Sequence, residues 1–87
     1  PWREAPLARL AADAARLDRL LAAAGFEILG GTSLFRLTRA PDAARRFTRL
    51  AEHGVLTRPF PDEPTWLRFG LPKPGAWPRL KAALEAL

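Results

Sequence analysis

The sequence predicts an α+β fold, a two-layer sandwich in which a small, mainly antiparallel sheet has helices on one face. Three segments repeat apolar residues at three- and four-residue steps, as amphipathic helices do. Four shorter segments are apolar or alternate apolar and polar side chains, as strands do. Their order is helix, strand, strand, helix, strand, strand, helix. Residues 1–87 are long enough for one small domain.

Proline and glycine bound the three predicted helices. The first covers residues 6–24, with Gly25 as a left-handed cap. The second begins at Pro41 and closes at Gly54, and the third covers residues 76–87. Their apolar stripes predict three buried faces, made of Leu7, Leu10, Ala14, Leu17, Leu21 and Ala24, of Ala44, Phe47, Leu50 and Ala51, and of Trp77, Leu80, Leu84 and Leu87.

The predicted strands are short. They are residues 26–29, ending at the Gly30-Gly31 pair, then 33–39, 55–58 and 66–70. Residues 59–64, PFPDEP, are so rich in proline that we predict an irregular connector there. The helix between the second and third strands also allows a short parallel pairing of those two strands.

Three arginines are predicted to share the sheet face that the helices leave open, because side chains alternate between the faces of a strand. These are Arg36, Arg58 and Arg68. The helix side would then hold Phe35, Leu37, Leu67 and Phe69. The open side would also hold Leu34, Leu56, Trp66 and Gly70. Such a mixture of apolar and basic groups suits a surface covered by a ligand or another domain, and an ordinary solvated face is the alternative.

The charge points to anionic partners. The net charge is +5, and it comes from arginine because Lys73 and Lys81 are the only lysines. Genome composition is the alternative source of so many arginines and alanines. Arginine binds carboxylate and phosphate groups in a bidentate manner, and Gly70, close to Arg68, leaves room for a group to approach the backbone.

Several classes of site are excluded by composition. The chain has no cysteine, which excludes disulfides and thiolate metal sites, and a single histidine, His53, makes no cluster for a transition metal. No apolar run is long enough to span a bilayer, so we expect a cytoplasmic protein without a membrane partner. The chain has no methionine, even at position 1, which suggests a piece of a longer polypeptide. Trp2 is predicted to lie in the core or against a missing domain.

Three segments resemble a known family. They are GTSLFRLTR at 31–39, LAEHGVLTRPF at 50–60 and WLRFGLPKPGAWPRLKAAL at 66–84. They resemble the C-terminal small domain of fold-type-I pyridoxal-phosphate enzymes, and most of all the L-threonine-O-3-phosphate decarboxylases of cobalamin biosynthesis. Histidinol-phosphate aminotransferases are close relatives of that subgroup. The resemblance covers nearly the whole chain, which would then be a single C-terminal small domain, residues 1–87.

The resemblance implies roles for two arginines and for a missing domain. Arg68 would bind the substrate α-carboxylate and Arg58 the substrate phosphate, whereas Arg36 matches no functional position of the family. Pyridoxal phosphate and its Schiff-base lysine would belong to the large domain of a homodimeric enzyme acting on L-threonine-O-3-phosphate. The 87 residues alone would then bind no cofactor and catalyse no reaction.

Other functions stay open on the sequence alone. The same parts serve a histidinol-phosphate aminotransferase, so the sequence does not settle which bond breaks. A stand-alone module that binds a small anion ranks second. A nucleic-acid-binding module ranks third, because Trp66 is the one aromatic residue predicted on the basic face.

Overall fold

The computed structural model describes residues 4–32 and 34–87, and over these residues it has the predicted α+β fold. Helix α1 covers Glu4–Ala23, strands β1 and β2 cover Glu27–Gly31 and Phe35–Arg39, α2 covers Ala43–Glu52, β3 and β4 cover Arg58–Phe60 and Glu63–Gly70, and a 3₁₀ turn at Pro74–Ala76 leads into α3 at Trp77–Glu85. The order of helices and strands is the predicted one. Trp2, Ser33 and the side chain of Leu7 lie outside the described part of the chain.

The described strands form one antiparallel sheet. Its strand order is β1–β2–β4–β3, so that β1 and β3 are the edges and β4 separates β2 from β3. This arrangement replaces the parallel pairing that the sequence allowed. Helix α1 packs on β1 and β2, α2 packs on β3 and β4, and α3 contacts both other helices. The helices thus cover one face of the sheet, and we call the other the open face.

The core lies between the helices and the covered face of the sheet. The largest of the fully buried side chains are Leu17, Leu21, Leu50, Leu67, Phe69 and Thr38. The ring of Phe26 meets that of Phe69 edge-on, with 5.2 Å between the centroids. Removal of this apolar surface from water is the main favourable contribution to folding.

The predicted helix stripes are mostly confirmed. The confirmed buried positions are Ala14, Leu17 and Leu21 in α1, Leu50 in α2, and Trp77, Leu80 and Leu84 in α3. The prediction is wrong for Ala44, which is exposed, while Ala43 is buried. Ala43 lies four residues before Phe47 and seven before Leu50, which is the spacing of one helix face.

The prediction for the third strand is wrong by three residues. Residues 55–57 form no strand, and β3 runs instead through Pro59 and Phe60, inside the supposed connector. An edge strand needs ladder hydrogen bonds on one side only, so it tolerates a proline that a central strand would not. The ring of Phe60 packs edge-on against Trp66, at 5.7 Å between centroids, which fixes the hairpin that joins β3 to β4.

The glycine pair after the first strand does not break it. Strand β1 continues to Gly31, with a bulge between Ile28 and Gly30. Gly31 has φ +137, and a Cβ there would lie 2.4 Å from the carbonyl oxygen of Phe35. Only glycine permits this close approach of β1 to β2.

Candidate anion-binding site

Arg36 does not lie on the open face, so this part of the sequence prediction is wrong. It pairs with Phe69 across β2 and β4, which places it on the helix-covered side. Its Nε donates to Oδ1 of Asp18 in α1 at 2.7 Å, and its Nη1 donates to the carbonyl oxygen of Thr32 at 3.2 Å. Arg36 is therefore an anchor between α1 and β2.

Phe35 and Leu37 take the opposite side from the predicted one. Phe35 faces Gly70 and Leu37 faces Arg68 across the β2–β4 pair, so both lie on the open face. Thr38 is fully buried on the helix side instead, where its Oγ1 donates to the carbonyl oxygen of Leu67 at 2.8 Å. The alternation of side chains correctly predicted which residues of β2 share a face. It did not predict which of the two faces the helices cover.

Arg58 and Arg68 are brought together as predicted. They stand directly opposite each other across the β3–β4 pair, and so project from the same face of the sheet. Both line a shallow hollow of about 370 Å³, which we call the arginine hollow. Its walls are made of Leu34, Phe35, Leu56, Thr57, Arg58, Arg68 and Gly70.

Among the described residues, the two arginines of the hollow differ from Arg36 and Arg39 of the adjoining strand β2 in having no acidic partner. Within the described residues, neither Arg58 nor Arg68 lies within 4.0 Å of a carboxylate. Arg39, also on the open face, pairs with Glu27 at 2.8 Å. The Arg68 guanidinium instead lies 5.1 Å from the centre of the Phe35 ring, a cation–π contact that leaves its N–H donors available. The hollow therefore offers two guanidinium groups to an anion.

The rim of the hollow is apolar and exposed. Leu34 is 65% and Leu56 is 81% exposed, and both line the hollow. Large exposed apolar side chains beside charged ones are typical of a surface that binds a ligand or another domain. The contribution of Leu34 and Leu56 was anticipated from the sequence.

Sequence reasoning missed Phe35 and Thr57 as parts of the hollow. The sequence predicts Phe35 on the helix side, and a strand over residues 55–58 would place Thr57 on the face opposite Arg58 because side chains alternate. In the described structure the Oγ1 atom of Thr57 is buried and has no hydrogen-bond partner. Only the correct start of β3 at Arg58 could have revealed that Thr57 lines the same hollow.

The residues of this chain do not fit a Schiff base with pyridoxal phosphate. Such a lysine needs a desolvated position facing the reacting group. Lys73 precedes the 3₁₀ turn and Lys81 lies on α3, and both are exposed and outside the arginine hollow. His53, at the end of α2, places Nδ1 2.9 Å from the carbonyl oxygen of Arg49.

Metal ligands and membrane spans were also sought within residues 4–32 and 34–87. No group of three or more histidine, cysteine or acidic residues there is arranged to hold a metal ion. None of the helices in this part of the chain has both the length and the apolar character needed to cross a bilayer.

Comparison with known proteins gives two similar sequences, and no protein-family model matches the chain. The chain is 51% identical over 57 residues to a threonine-phosphate decarboxylase of Sinorhizobium sp, a match that covers 66% of this chain and 17% of that protein. It is 44% identical over 77 residues to a threonine-phosphate decarboxylase of Pseudomonas aeruginosa, covering 87% of this chain and 23% of that protein. The chain thus spans less than a quarter of the length of these curated relatives, and the similarities support the decarboxylase family that the three segments resemble.

Proposed function

We propose that this chain is the C-terminal, substrate-binding domain of a pyridoxal-phosphate-dependent threonine-phosphate decarboxylase of cobalamin biosynthesis. The observation that carries the proposal is the pair of opposed arginines, Arg58 and Arg68, which lie in a hollow of the open face and have no acidic partner among the described residues. The names of the two similar proteins support the reaction class, a decarboxylation by a lyase.

The arginine pair suits a substrate with two anionic groups. L-Threonine-O-3-phosphate has a carboxylate on its α-carbon and a phosphate on the adjacent β-carbon. Opposed residues of an antiparallel pair have Cα atoms roughly 5 Å apart, so two anions of one small molecule can each meet a guanidinium. Like charges directly opposite each other are unfavourable, and an anion between them relieves that repulsion.

Each arginine has a separate role in this proposal. Arg68 binds the α-carboxylate, and its position over Phe35 limits the directions in which its guanidinium points. Arg58 is exposed at the edge strand and binds the phosphate. Together the two arginines fix the orientation of the substrate, and with it the direction of the bond between the α-carbon and the carboxylate.

The cofactor belongs to another part of the enzyme in this proposal. When bound, pyridoxal phosphate supplies the electron sink that decarboxylation requires. The large domain that holds it would cover the hollow and pack against Leu34 and Leu56, which excludes water from the guanidinium groups. A low dielectric strengthens their attraction for the substrate anions. We propose a homodimer for the complete enzyme, as in the resembling family.

A stand-alone module for small anions is the second candidate. It would use the same two arginines and needs no further domain. The two exposed leucines of the hollow favour the multidomain enzyme, because a freely accessible anion site gains nothing from an apolar rim. The names of the similar proteins favour decarboxylation over the transamination of histidinol phosphate.

The first experiment is to read the frame that encodes these residues and to weigh the intact chain by mass spectrometry. We expect a frame that continues upstream through a larger domain with a Schiff-base lysine. A frame confined to these 87 residues would overturn the enzyme assignment and leave the module as the explanation.

The second experiment is a binding measurement with the full encoded polypeptide. The probe is 3-phosphooxybutanoate, which has the carboxylate and phosphate of the proposed substrate but no amino group to react with the cofactor. We expect Arg68→Ala to weaken binding, measured by titration calorimetry, by roughly tenfold to hundredfold, since charged hydrogen bonds are lost. Arg39→Ala is the matched control, because Arg39 shares the open face but is paired with Glu27. Equal affinities of the wild type and the Arg68 variant would contradict the carboxylate role.

A further inference from the structure

Gly70 lines the arginine hollow, and the fold does not require that it lack a side chain. It ends β4, two residues after Arg68, and pairs with Phe35 of β2. Its φ is not positive, so its backbone conformation is open to any residue. Glycine at a paired strand position is less stable than a residue with a side chain. The fold alone would therefore favour alanine or a larger residue at position 70.

The space above Gly70 is empty in the structure. A Cβ built on Gly70 would have no atom of the rest of the protein within 4 Å, whereas one on Gly31 would collide with the backbone of Phe35. Gly31 is thus a glycine for structural reasons, and Gly70 is not. The missing side chain leaves an open patch of backbone in the lining of the hollow.

The neighbouring ring does not fill this patch. An aromatic side chain opposite a strand glycine commonly lies over it and shields it from water. Phe35 is opposite Gly70, but its ring is more than 4 Å from the Cβ position and lies instead against the guanidinium of Arg68. The two residues that border the patch are therefore turned toward each other and leave it free.

We propose that Gly70 is a specificity-determining residue of the arginine hollow, whose bare backbone accommodates the carbon chain that links two anionic groups of a ligand. The inference rests on the proposed function and deepens it. Gly70 lines the same hollow as Arg58 and Arg68, so a ligand that fills the hollow while binding both arginines lies against the bare backbone of Gly70, and a side chain at position 70 would enter that space. A single small anion bound by one arginine would not need the space.

The test compares two probes on the full encoded polypeptide by titration calorimetry. The larger probe is 3-phosphooxybutanoate and the smaller is inorganic phosphate. We expect Gly70→Ala to weaken binding of the larger probe by about tenfold, because a Cβ in a filled site must displace the ligand. Binding of inorganic phosphate should change by less than about twofold. Gly70→Val should weaken binding of the larger probe further, because valine is larger than alanine.

Two controls separate exclusion of the ligand from damage to the fold. Gly75→Ala is the matched substitution, because a Cβ on Gly75 also meets nothing within 4 Å and Gly75 is outside the hollow. It should bind both probes as the wild type does. The thermal midpoint of Gly70→Ala should equal or exceed that of the wild type, since alanine restricts the unfolded chain.

Other results of these binding measurements would overturn the Gly70 inference, the proposed function, or both. If Gly70→Ala binds the larger probe as tightly as the wild type while Arg68→Ala does not, the inference fails and the proposed function stands. If Gly70→Ala weakens both probes equally, its effect is a displaced arginine and the specificity role is overturned. If Arg68→Ala and Gly70→Ala both bind like the wild type, the proposed function fails and the inference fails with it.

Discussion

Arg36, on the helix-covered face of the sheet, and the Arg58–Arg68 pair, on the open face, differ in whether they have an acidic partner. On the helix-covered face, Arg36 has an acidic partner, with 2.7 Å between its Nε and Oδ1 of Asp18. On the open face, Arg58 and Arg68 stand opposite each other with no carboxylate within 4.0 Å in the described part of the chain. All three belong to neighbouring strands of one small sheet.

The difference separates arginines that hold the fold from arginines available to a ligand. The Arg36 side chain is only 18% exposed, and a charge in such a place needs an opposite charge and hydrogen bonds. Arg58 is exposed, so solvent stabilises its charge until an anion arrives. The presence of an internal partner is therefore a better guide to function than the strand position of the arginine.

The largest effect on stability should come from the covered face. Leu67 of β4 is 1% exposed and packs in the core. We expect Leu67→Ala to lower the free energy of unfolding by about 2–5 kcal/mol, since it loses buried methyl groups and leaves a cavity. Urea unfolding followed by circular dichroism measures it. A loss below about 1 kcal/mol would mean that the covered face is not the true core.

A smaller effect should distinguish the two kinds of arginine directly. Arg36→Ala removes the partner of Asp18, and we expect it to lower the free energy of unfolding by about 1–3 kcal/mol. Arg58→Ala, the matched change on the open face, should alter it by less than about 0.5 kcal/mol. The same urea titration measures both variants.

A double variant checks the physical reason. If Arg36→Ala destabilises by leaving Asp18 unpaired, then adding Asp18→Ala should recover part of the loss. Equal losses for Arg36→Ala and Arg58→Ala would erase the proposed distinction between the two faces.

Much of the fold follows from patterns that burial creates in the sequence. The stripes of α1 and α3 are long enough to fix which residues face the core, as Leu17, Leu21 and Leu80 show. The position of β3 does not follow, because proline normally argues against a strand. Pro59 is tolerated in β3 because β3 is an edge strand. Which strand lies at the edge depends on the tertiary arrangement, so a local sequence pattern does not reveal it.

The candidate site could be predicted from the sequence only in part: Arg58 and Arg68 were placed on the correct face, and the residues of β2 were not. Alternation tells which residues of a strand share a side, but the covered side must be chosen by the contrast between apolar and polar residues. In β2 that contrast misleads, because Phe35 and Leu37 are on the open face and Arg36 is beneath the helices. The partner that permits this, Asp18, is 18 residues away in sequence and outside any local pattern. Arg58 and Arg68 were predicted to share the open face, and they do; their roles stay predictions.

The paired arginines at the start of α2 should give a small dependence of stability on pH. Arg45 and Arg46 donate hydrogen bonds to the Asp42 carboxylate, and these, with that from Arg45 the largest, hold the pKa of Asp42 below its ordinary value of 3.8 against the opposing effect of desolvation. The contribution is therefore complete above about pH 4, where the unfolded carboxyl is also ionised, and is lost as pH falls through the folded pKa.

We expect Asp42→Asn to flatten the fall in unfolding free energy below about pH 4, measured by urea titrations at successive pH values. Arg45→Ala should flatten it in part, because it removes the main cause of the lowered pKa. A wild-type slope in the Asp42 variant would show that the arginine contacts do not favour the ionised form.

The smallest effect on stability should come from a leucine of the open face, the counterpart of Leu67. Leu56 is 81% exposed, so Leu56→Ala removes few contacts, and we expect a change in unfolding free energy within about 0.5 kcal/mol. Its importance should appear in association instead. In the 87-residue chain alone, the uncovered open face should bring two copies together at high concentration, which sedimentation equilibrium measures.

The charge variant Leu56→Asp should abolish that association, because a carboxylate in an apolar contact is left without solvent. Ala44→Asp is its control, since Ala44 is exposed on α2, away from the open face. A chain that stays monomeric at every concentration, or one whose association Leu56→Asp leaves intact, would mean that the exposed leucines are not a contact surface. The apolar rim would then no longer favour the multidomain enzyme, and the stand-alone anion module would gain the stronger support.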